Sequence, residues 1–285
     1  MTTLTEPSTE HTSELRPDDA AFDISDEADV RALLRAEEAH FWHKARNRFI
    51  RGKVEELGVL PGARVLELGC GAGCVSAELT RAGYRVTGVD GHRSLLGVAC
   101  TRAPDARFFC HDLRRGLPDL ELAAFDVVGL FDVIEHLDEP LRALTDALRF
   151  AKPGGHVVGT VPALMALWSS IDEHAGHKTR YSADGLAATL AGLEGVTVLE
   201  IAPFFRSLVP LVWMQRRLLS KSSTAARRDH AAASVQNLRV PPLPINAGLL
   251  ALVTAEHALA SRLGRTRIPG ASLWFSVRRD QDVRA

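Results

Sequence analysis

The chain is poor in several features that would narrow its function at once. It has almost no net charge: 34 Lys and Arg stand against 35 Asp and Glu, giving a formal -1 at pH 7 over 285 residues. No global field therefore draws in nucleic acid, and a nucleic-acid partner is not expected. Cysteine is scarce, with four residues at 70, 74, 100 and 110 and no CxxC pair. Cys70 and Cys74 fall within and just after a glycine turn, where a disulfide or zinc ion would obstruct a ligand. The four read as small buried thiols of a reducing compartment. No secretion signal opens the sequence, and no uninterrupted apolar run reaches the length of a membrane span. The expectation is a cytoplasmic protein. What remains is ordinary for a globular chain: 46% hydrophobic and 24% charged residues.

The pattern divides into five parts. Residues 1–25 are rich in Thr, Ser, Glu and Asp without apolar periodicity and read as a disordered tail. Residues 26–60 carry apolar positions at spacings near 3 and 4, which predicts an N-terminal helical cap ended by Gly58 and Pro61-Gly62. Residues 61–203 alternate strands and helices: strands over 64–68, 85–89, 106–110, 125–131, 156–161 and 196–201, and helices over 74–82, 140–150 and 182–191. Lys152-Pro153-Gly154-Gly155 reads as a tight turn into the fifth strand. This order predicts an α/β fold, a doubly wound Rossmann-like sheet that is mostly parallel with a C-terminal antiparallel strand. Residues 204–270 are too long for a plain loop and read as a helical insertion or lid, with Ser220–Ser234 as a mobile loop inside it. Residues 271–285 hold the final strand and C-terminus.

The most informative stretch is Val65-Leu66-Glu67-Leu68-Gly69-Cys70-Gly71-Ala72-Gly73. A buried strand ends in a turn with glycine at alternate positions, and a helix follows. Glycine lets a ligand approach the backbone, and the helix N-terminus presents free N–H groups to it. The G-x-G-x-x-G spacing of dinucleotide sites is not met, because Gly73 comes one position early and Cys74 stands where the third glycine belongs; a nicotinamide-dependent oxidoreductase is a weaker alternative. Asp90 ends the second strand, where a carboxylate can bind ribose hydroxyls. Asp112 follows the third, within reach of an adenine amine. Either aspartate can also be a plain strand-end cap.

Taken together, these motifs over Arg64–Val161 resemble the class I S-adenosylmethionine-dependent methyltransferases. The resemblance implies that S-adenosyl-L-methionine is the cofactor. It implies that Glu67 shapes the glycine turn, that Gly69, Gly71 and Gly73 carry the methionine portion, and that Asp90 binds ribose. Asp112 and the Leu113 backbone would bind adenine, and Phe131 would sit near the sulfonium. The segment Trp42-His43-Lys44-Ala45-Arg46 is similar to an N-terminal tryptophan-aromatic-x-x-Arg pattern of bacterial methyltransferases, which makes Arg46 a match for an arginine near the cofactor carboxylate.

The acceptor side is less sharply written. Asp132-Val133-Ile134-Glu135-His136 follows the fourth strand, and His136 is the best candidate base because imidazole titrates near neutral pH. The acid-x-x-Glu-His spacing looks like that of the ubiquinone-biosynthesis O-methyltransferases, where such residues are implicated with a metal. The preferred reading is metal-free, with Glu135 and His136 alternatively capping the next helix. The polar run Asp172–Ser182 offers His177, Arg180 and Tyr181 as substrate contacts, with His177 and Tyr181 counted among the catalytic candidates. Phe204–Leu219 runs from apolar into basic, which suits a lid over a greasy substrate or a peripheral membrane contact. The expectation is a methyltransferase acting on a small molecule, oxygen favoured, with a natural-product, glycan-related or lipid-like acceptor. A protein that binds the cofactor without methyl transfer is the alternative. Oligomeric state is left open.

Overall fold

The computed structural model describes residues 27–226, 240–263 and 268–281. The tail expected over 1–25 and the part of Ser220–Ser234 beyond 226 lie outside the described residues.

Two helices open the described chain, α1 (Glu27–Ala39) and α2 (Phe41–Glu56). They break at His40, whose extended backbone and ring, which accepts the Trp42 N–H, start α2. Phe41, Ala45, Ile50 and Val54 are buried along α2, a single stripe at helical spacing laid against the sheet domain. The sheet has seven strands: β1 (Arg64–Leu68), β2 (Arg85–Asp90), β3 (Arg107–Cys110), β4 (Phe125–Phe131), β5 (Ala151–Pro162), β6 (Val196–Phe204) and β7 (Ser272–Arg279). Their spatial order is β3-β2-β1-β4-β5-β7-β6. β7 runs antiparallel to both β5 and β6, and the β1, β2, β3, β4 and β5 pairings are parallel. The mostly parallel sheet with one late antiparallel strand is therefore as the alternation of elements implied.

Helices α3 (Cys74–Arg81), α4 (Arg93–Arg102), α5 (Pro140–Phe150), α6 (Ser170–His174) and α7 (Ala183–Ala191) connect or flank the strands. One apolar layer gathers Ile50, Leu79, Phe131 and Trp274. A second gathers Leu130, Leu144, Phe150, Leu186 and Phe275. Each side chain of this size removed from water stabilises the fold by about 1.5–3 kcal/mol. Both faces of the sheet are thus covered, so the central strands are apolar nearly throughout; β4 has six of its seven positions buried. Chain order reverses between β1 and β4, and ligands of open α/β sheets bind at that switch, beyond the carboxyl ends of the strands.

Several local expectations are corrected. Lys152–Gly155 is no free turn but the start of β5, and pairing with β4 slips between Phe125 and Val127. Gly154 has φ 79, so turn-type residues produce an irregularity inside a long strand. α4 was not foreseen, because its ten residues bury only Leu95, Leu96 and Ala99. Residues 220–226 continue α8 (Val209–Ala226) rather than opening a loop.

The last helix, α9 (Leu243–Leu263), also alters the reading of apolar runs. Leu243–Ala260 has a mean hydropathy of 1.3 and is long and apolar enough, by length and composition, to cross a membrane. It is not an uninterrupted apolar run in the sequence, because Asn246 and Glu256 break it. Both residues are occupied within the protein. Asn246 accepts the Phe41 N–H at 2.9 Å and donates to the Ala39 carbonyl at 2.9 Å, clamping the α1–α2 break. Glu256 accepts the backbone N–H groups of Arg206 and Ser207 at 2.7 and 2.8 Å, where α8 begins.

Candidate active site

The glycine turn leaves β1 at Gly69 and enters α3 at Cys74. All three of its glycines have positive φ: 79 at Gly69, 52 at Gly71 and 73 at Gly73. Their surroundings differ. A Cβ on Gly69 would lie 2.5 Å from a Val133 methyl, and one on Gly73 would lie 2.8 Å from the Ala99 Cβ. A Cβ on Gly71 would meet nothing within 4 Å. Gly69 and Gly73 are thus required by the protein's own packing, while Gly71 faces open space where a ligand can rest on bare backbone.

Glu67 supports the turn from below. It is 2% exposed, and its carboxyl accepts both the hydroxyl and the backbone N–H of Ser76 in the first turn of α3. Burial pushes this carboxyl up to about 8, against the opposing Ser76 bonds. Asp90 ties β2 to the same turn. One oxygen accepts the Gly71 N–H at 2.7 Å, and the other accepts the His92 N–H at 2.8 Å and meets His92 Nδ1 at 2.9 Å. Of the roughly four acceptor positions on a carboxylate, three are occupied. A ribose diol would share Asp90 with the His92 ring. Asp112 caps the short 3-10 turn at Leu113–Arg115. Its carboxylate is gripped by the Arg114 guanidinium at 2.8–3.1 Å, and that bond holds its carboxyl below the usual range. The Leu113 backbone follows directly.

At the end of β4, Arg46 donates to the Phe131 carbonyl at 3.0 Å and pairs with Asp132 at 2.5 Å. Asp132 has φ 57 and accepts from the Thr160 hydroxyl at 3.1 Å. The Phe131 ring is buried, packed over Gly129 and stacked at 6.5 Å on Trp274. His43, one turn before Arg46, is pushed down to about 4 by burial and by the Arg46 charge, so it is neutral at physiological pH.

Beyond Asp132 the acceptor-side residues converge. The His136 and His177 rings meet edge to face at 4.7 Å. Burial and the neighbouring His177 lower the His136 pKa, leaving its imidazole neutral and able to take a proton at pH 7. Glu135 is fully buried, and neither of its carboxylate oxygens has a hydrogen-bond partner among the described residues. Burial and the Asp132 charge raise it well above the ordinary carboxyl value. Glu135 is therefore no helix cap: α5 starts at Pro140 behind Glu139, without a side-chain cap. One potential ligand atom each from Glu135, His136 and His177 lies within 4.8 Å of the others. Asp132, the first acid of the spacing read from sequence, is instead engaged by Arg46 and Thr160. Tyr181 is 7% exposed, and burial together with Glu135 pushes its phenol up to about 12. It stays protonated and is suited to donating a hydrogen bond rather than to removing a proton.

Ser76, His92 and Thr160 carry no signal in the sequence, and Asp172 opens the polar run there without a role of its own. Asp172 is fully buried. It receives His177 Nδ1 at 3.1 Å, Arg180 at 2.7 Å and Arg216 of α8 at 2.5 Å. The sequence marked its neighbourhood as polar but held no sign that Arg216, 44 residues away, would reach it. A cavity of 390 Å³ is lined in part by Lys53, His156, Glu200 and Trp274. Its lining comes from α2 and from β5, β6 and β7, and includes none of the glycine-turn, Glu135, His136 or His177 residues.

The sequence matches the methyltransferase-domain family over residues 41–198, which covers the cap helix, the glycine turn, Asp90, Asp112 and the whole Glu135–His177 cluster. The chain belongs to the class I S-adenosylmethionine-dependent methyltransferases. A ubiquinone biosynthesis O-methyltransferase of Alkalilimnicola ehrlichii is 34% identical over 105 residues, 36% of this chain and 42% of that protein. The chain matches about two fifths of the length of such curated relatives. Among solved structures, phosphoethanolamine N-methyltransferase 2 of Haemonchus contortus aligns with a TM-score of 0.52 at 18% identity, over 83% of this chain and 52% of that one, and was solved with S-adenosylhomocysteine. The 4+2 cyclase SpnF aligns with a TM-score of 0.51 at 18% identity, over 94% of this chain and 87% of that one. These structural likenesses establish the methyltransferase fold and leave the acceptor open. Membership sets aside the nicotinamide alternative and makes S-adenosylmethionine the cofactor of this fold.

Proposed function

We propose that the chain transfers a methyl group from S-adenosylmethionine to an oxygen of a small molecule, with His136 as the base. The observation that carries this reading is the His136 ring held edge to face on His177 at 4.7 Å beyond the carboxyl end of β4, next to the strand end held by Arg46 and Asp132. The cofactor supplies an activated methyl on a cationic sulfur; the chain binds, aligns and excludes water. Gly71 offers backbone to the methionine portion and Asp90 a carboxylate to the ribose. His136 takes the proton of an acceptor hydroxyl as its oxygen attacks. The acceptor class we favour is a natural-product, glycan-related or lipid-like hydroxyl compound in the cytoplasm, with α8 forming part of its pocket.

The test is formation of S-adenosylhomocysteine across a panel of hydroxylated acceptors. His136→Ala is expected to lower turnover by 10²-fold or more while cofactor affinity, read by calorimetry, changes less than about twofold. Full turnover by that variant removes His136 as base. Tight cofactor binding with no transfer to any acceptor favours a cofactor-binding protein of other chemistry.

A second reading has one specific observation behind it. The buried, unpartnered Glu135 carboxyl beside two imidazoles is a donor set that suits a divalent transition metal. In that case a bound metal would supply Lewis acidity, and Glu135, His136 and His177 would hold it. Activity lost to a chelator and restored by a divalent ion selects this reading; activity indifferent to chelation selects the metal-free one.

A further inference from the structure

We infer that Asp172 is a positioning residue that fixes the His177 ring opposite His136, and that Arg216 makes this placement depend on helix α8 being seated. The inference rests on the proposed function for its consequence in turnover, but not for its geometry.

Asp172 lies at the third position of α6, where it closes a capping box with Ser169. Capping alone would call for an exposed carboxylate and one partner. Here the side chain is fully buried and carries three further groups. One oxygen receives Arg180 Nε at 2.8 Å and His177 Nδ1 at 3.1 Å. The other receives Ser169 N–H at 3.0 Å and Arg216 Nη1 at 2.5 Å. Two guanidinium groups and a backbone N–H, none of which can accept, donate to it, so both of its oxygens serve as acceptors. With both oxygens of Asp172 accepting, His177 meets it as a donor through Nδ1–H, which leaves Nε2 as the other ring nitrogen.

Each partner comes from a different piece of the pocket. Arg180 also donates to the Ala163 carbonyl at 2.9 Å, beyond the end of β5. Arg216 also donates to the Leu167 carbonyl and to the Ser169 hydroxyl at 3.1 Å. The loop that carries His177 is further anchored by Lys178 N–H on the Glu135 carbonyl at 2.7 Å. Arg216 is the contact by which α8 reaches this carboxylate. With α8 lifted, Asp172 loses one of its two guanidinium partners, and His177 is held by a less constrained carboxylate. The lid and the acceptor-side histidine are thereby joined through one buried anion.

The test uses the full chain. Asp172→Asn and Arg216→Ala are compared with wild type for kcat, acceptor KM, cofactor affinity and the 15N resonances of the His177 ring. Expected for Asp172→Asn is a 10- to 100-fold loss of kcat, cofactor affinity within twofold, and loss of the single Nδ1-protonated His177 pattern. Expected for Arg216→Ala is a raised acceptor KM and a mixed His177 pattern, with Arg216→Lys restoring part of both. Should Asp172→Asn fail to fold, the two Arg216 variants decide alone. Unchanged kcat and an unchanged His177 pattern overturn the inference. Parallel losses of kcat and cofactor affinity also overturn it, because they mark a general structural role. If wild type methylates nothing, the proposed function fails, and the His177 resonances still decide the positioning claim.

Discussion

Glu67 should make the protein less stable as pH rises, which is the reverse of the usual behaviour of a carboxylate. Most folded carboxylates are held in their charged form. This one is buried under the glycine turn with its pKa moved from 4.5 to about 8. In the unfolded chain it ionises near the ordinary value. Between those two values the folded protein holds a proton that the unfolded chain has released. Stability from this group is therefore fully present below about pH 4.5 and is lost as pH climbs towards 8. Over pH 5 to 8 the difference spans about three pH units, on the order of 4 kcal/mol.

Other groups move in other windows. The His43 imidazole, pushed down to about 4, gives stability that grows with pH between about 4 and 6.5. Asp172, held low by its partners, matters only in acid, below the ordinary aspartate value. Glu135 is raised as Glu67 is. A difference measurement isolates Glu67: denaturant unfolding of wild type and Glu67→Gln at half-unit steps from pH 5 to 8.5. Glutamine keeps an oxygen for Ser76 but leaves its amide without an evident partner, so the variant should be less stable at pH 5 by about 1–3 kcal/mol. By pH 8 that deficit should have vanished or reversed. Two stability curves that stay parallel across this range would show that Glu67 does not titrate there and would refute the argument from burial.

Two further perturbations separate ligand contact from packing. Gly73→Ala should destabilise the fold, because its Cβ falls 2.8 Å from Ala99, a clash of the kind that costs about 1–3 kcal/mol. Gly71→Ala shares the strain of a positive φ but has open space around it, so it should lower the melting temperature less than Gly73→Ala while also weakening cofactor binding by calorimetry. Equal stability losses at both positions would contradict the assignment of Gly71 to the ligand. Asp90→Ala removes an acceptor for the Gly71 N–H and for ribose together, and cofactor affinity should fall by on the order of 1–3 kcal/mol; unchanged affinity would remove Asp90 from the site.

The fold was legible because its determinants are local. Alternating apolar strands, amphipathic helices and a glycine turn each fit within a window of about ten residues, and the rule of parallel connections assembles them. What failed locally failed for physical reasons. Lys152–Gly155 carries turn residues yet lies within a strand, because β5 pairs with β4 on either side of it, at Ala151 and at His156, and the turn residues bulge out between those two points. α4 stayed hidden because three buried residues give too little periodicity. The candidate cofactor residues Glu67, Gly71 and Asp90 sit at strand ends whose positions the sheet order dictates, and the structure brings Asp90 onto the Gly71 N–H.

The acceptor side is legible only in part, because it depends on contacts that sequence distance conceals. His136 and His177 lie 41 positions apart in the numbering and are brought together by Lys178 N–H docking on the Glu135 carbonyl and by the bonds of His177 to Asp172. Asp132 was read with Glu135 and His136 as one acidic-histidine group, yet a backbone φ of 57 and the pull of Arg46 from α2 take its carboxylate elsewhere. His177 fills the vacated third place. A short motif fixes which residues stand near the end of a strand. Which of them face the same point is settled by the groups that neutralise their charges, and here those are arginines contributed by the cap helix, by the segment before α7 and by α8.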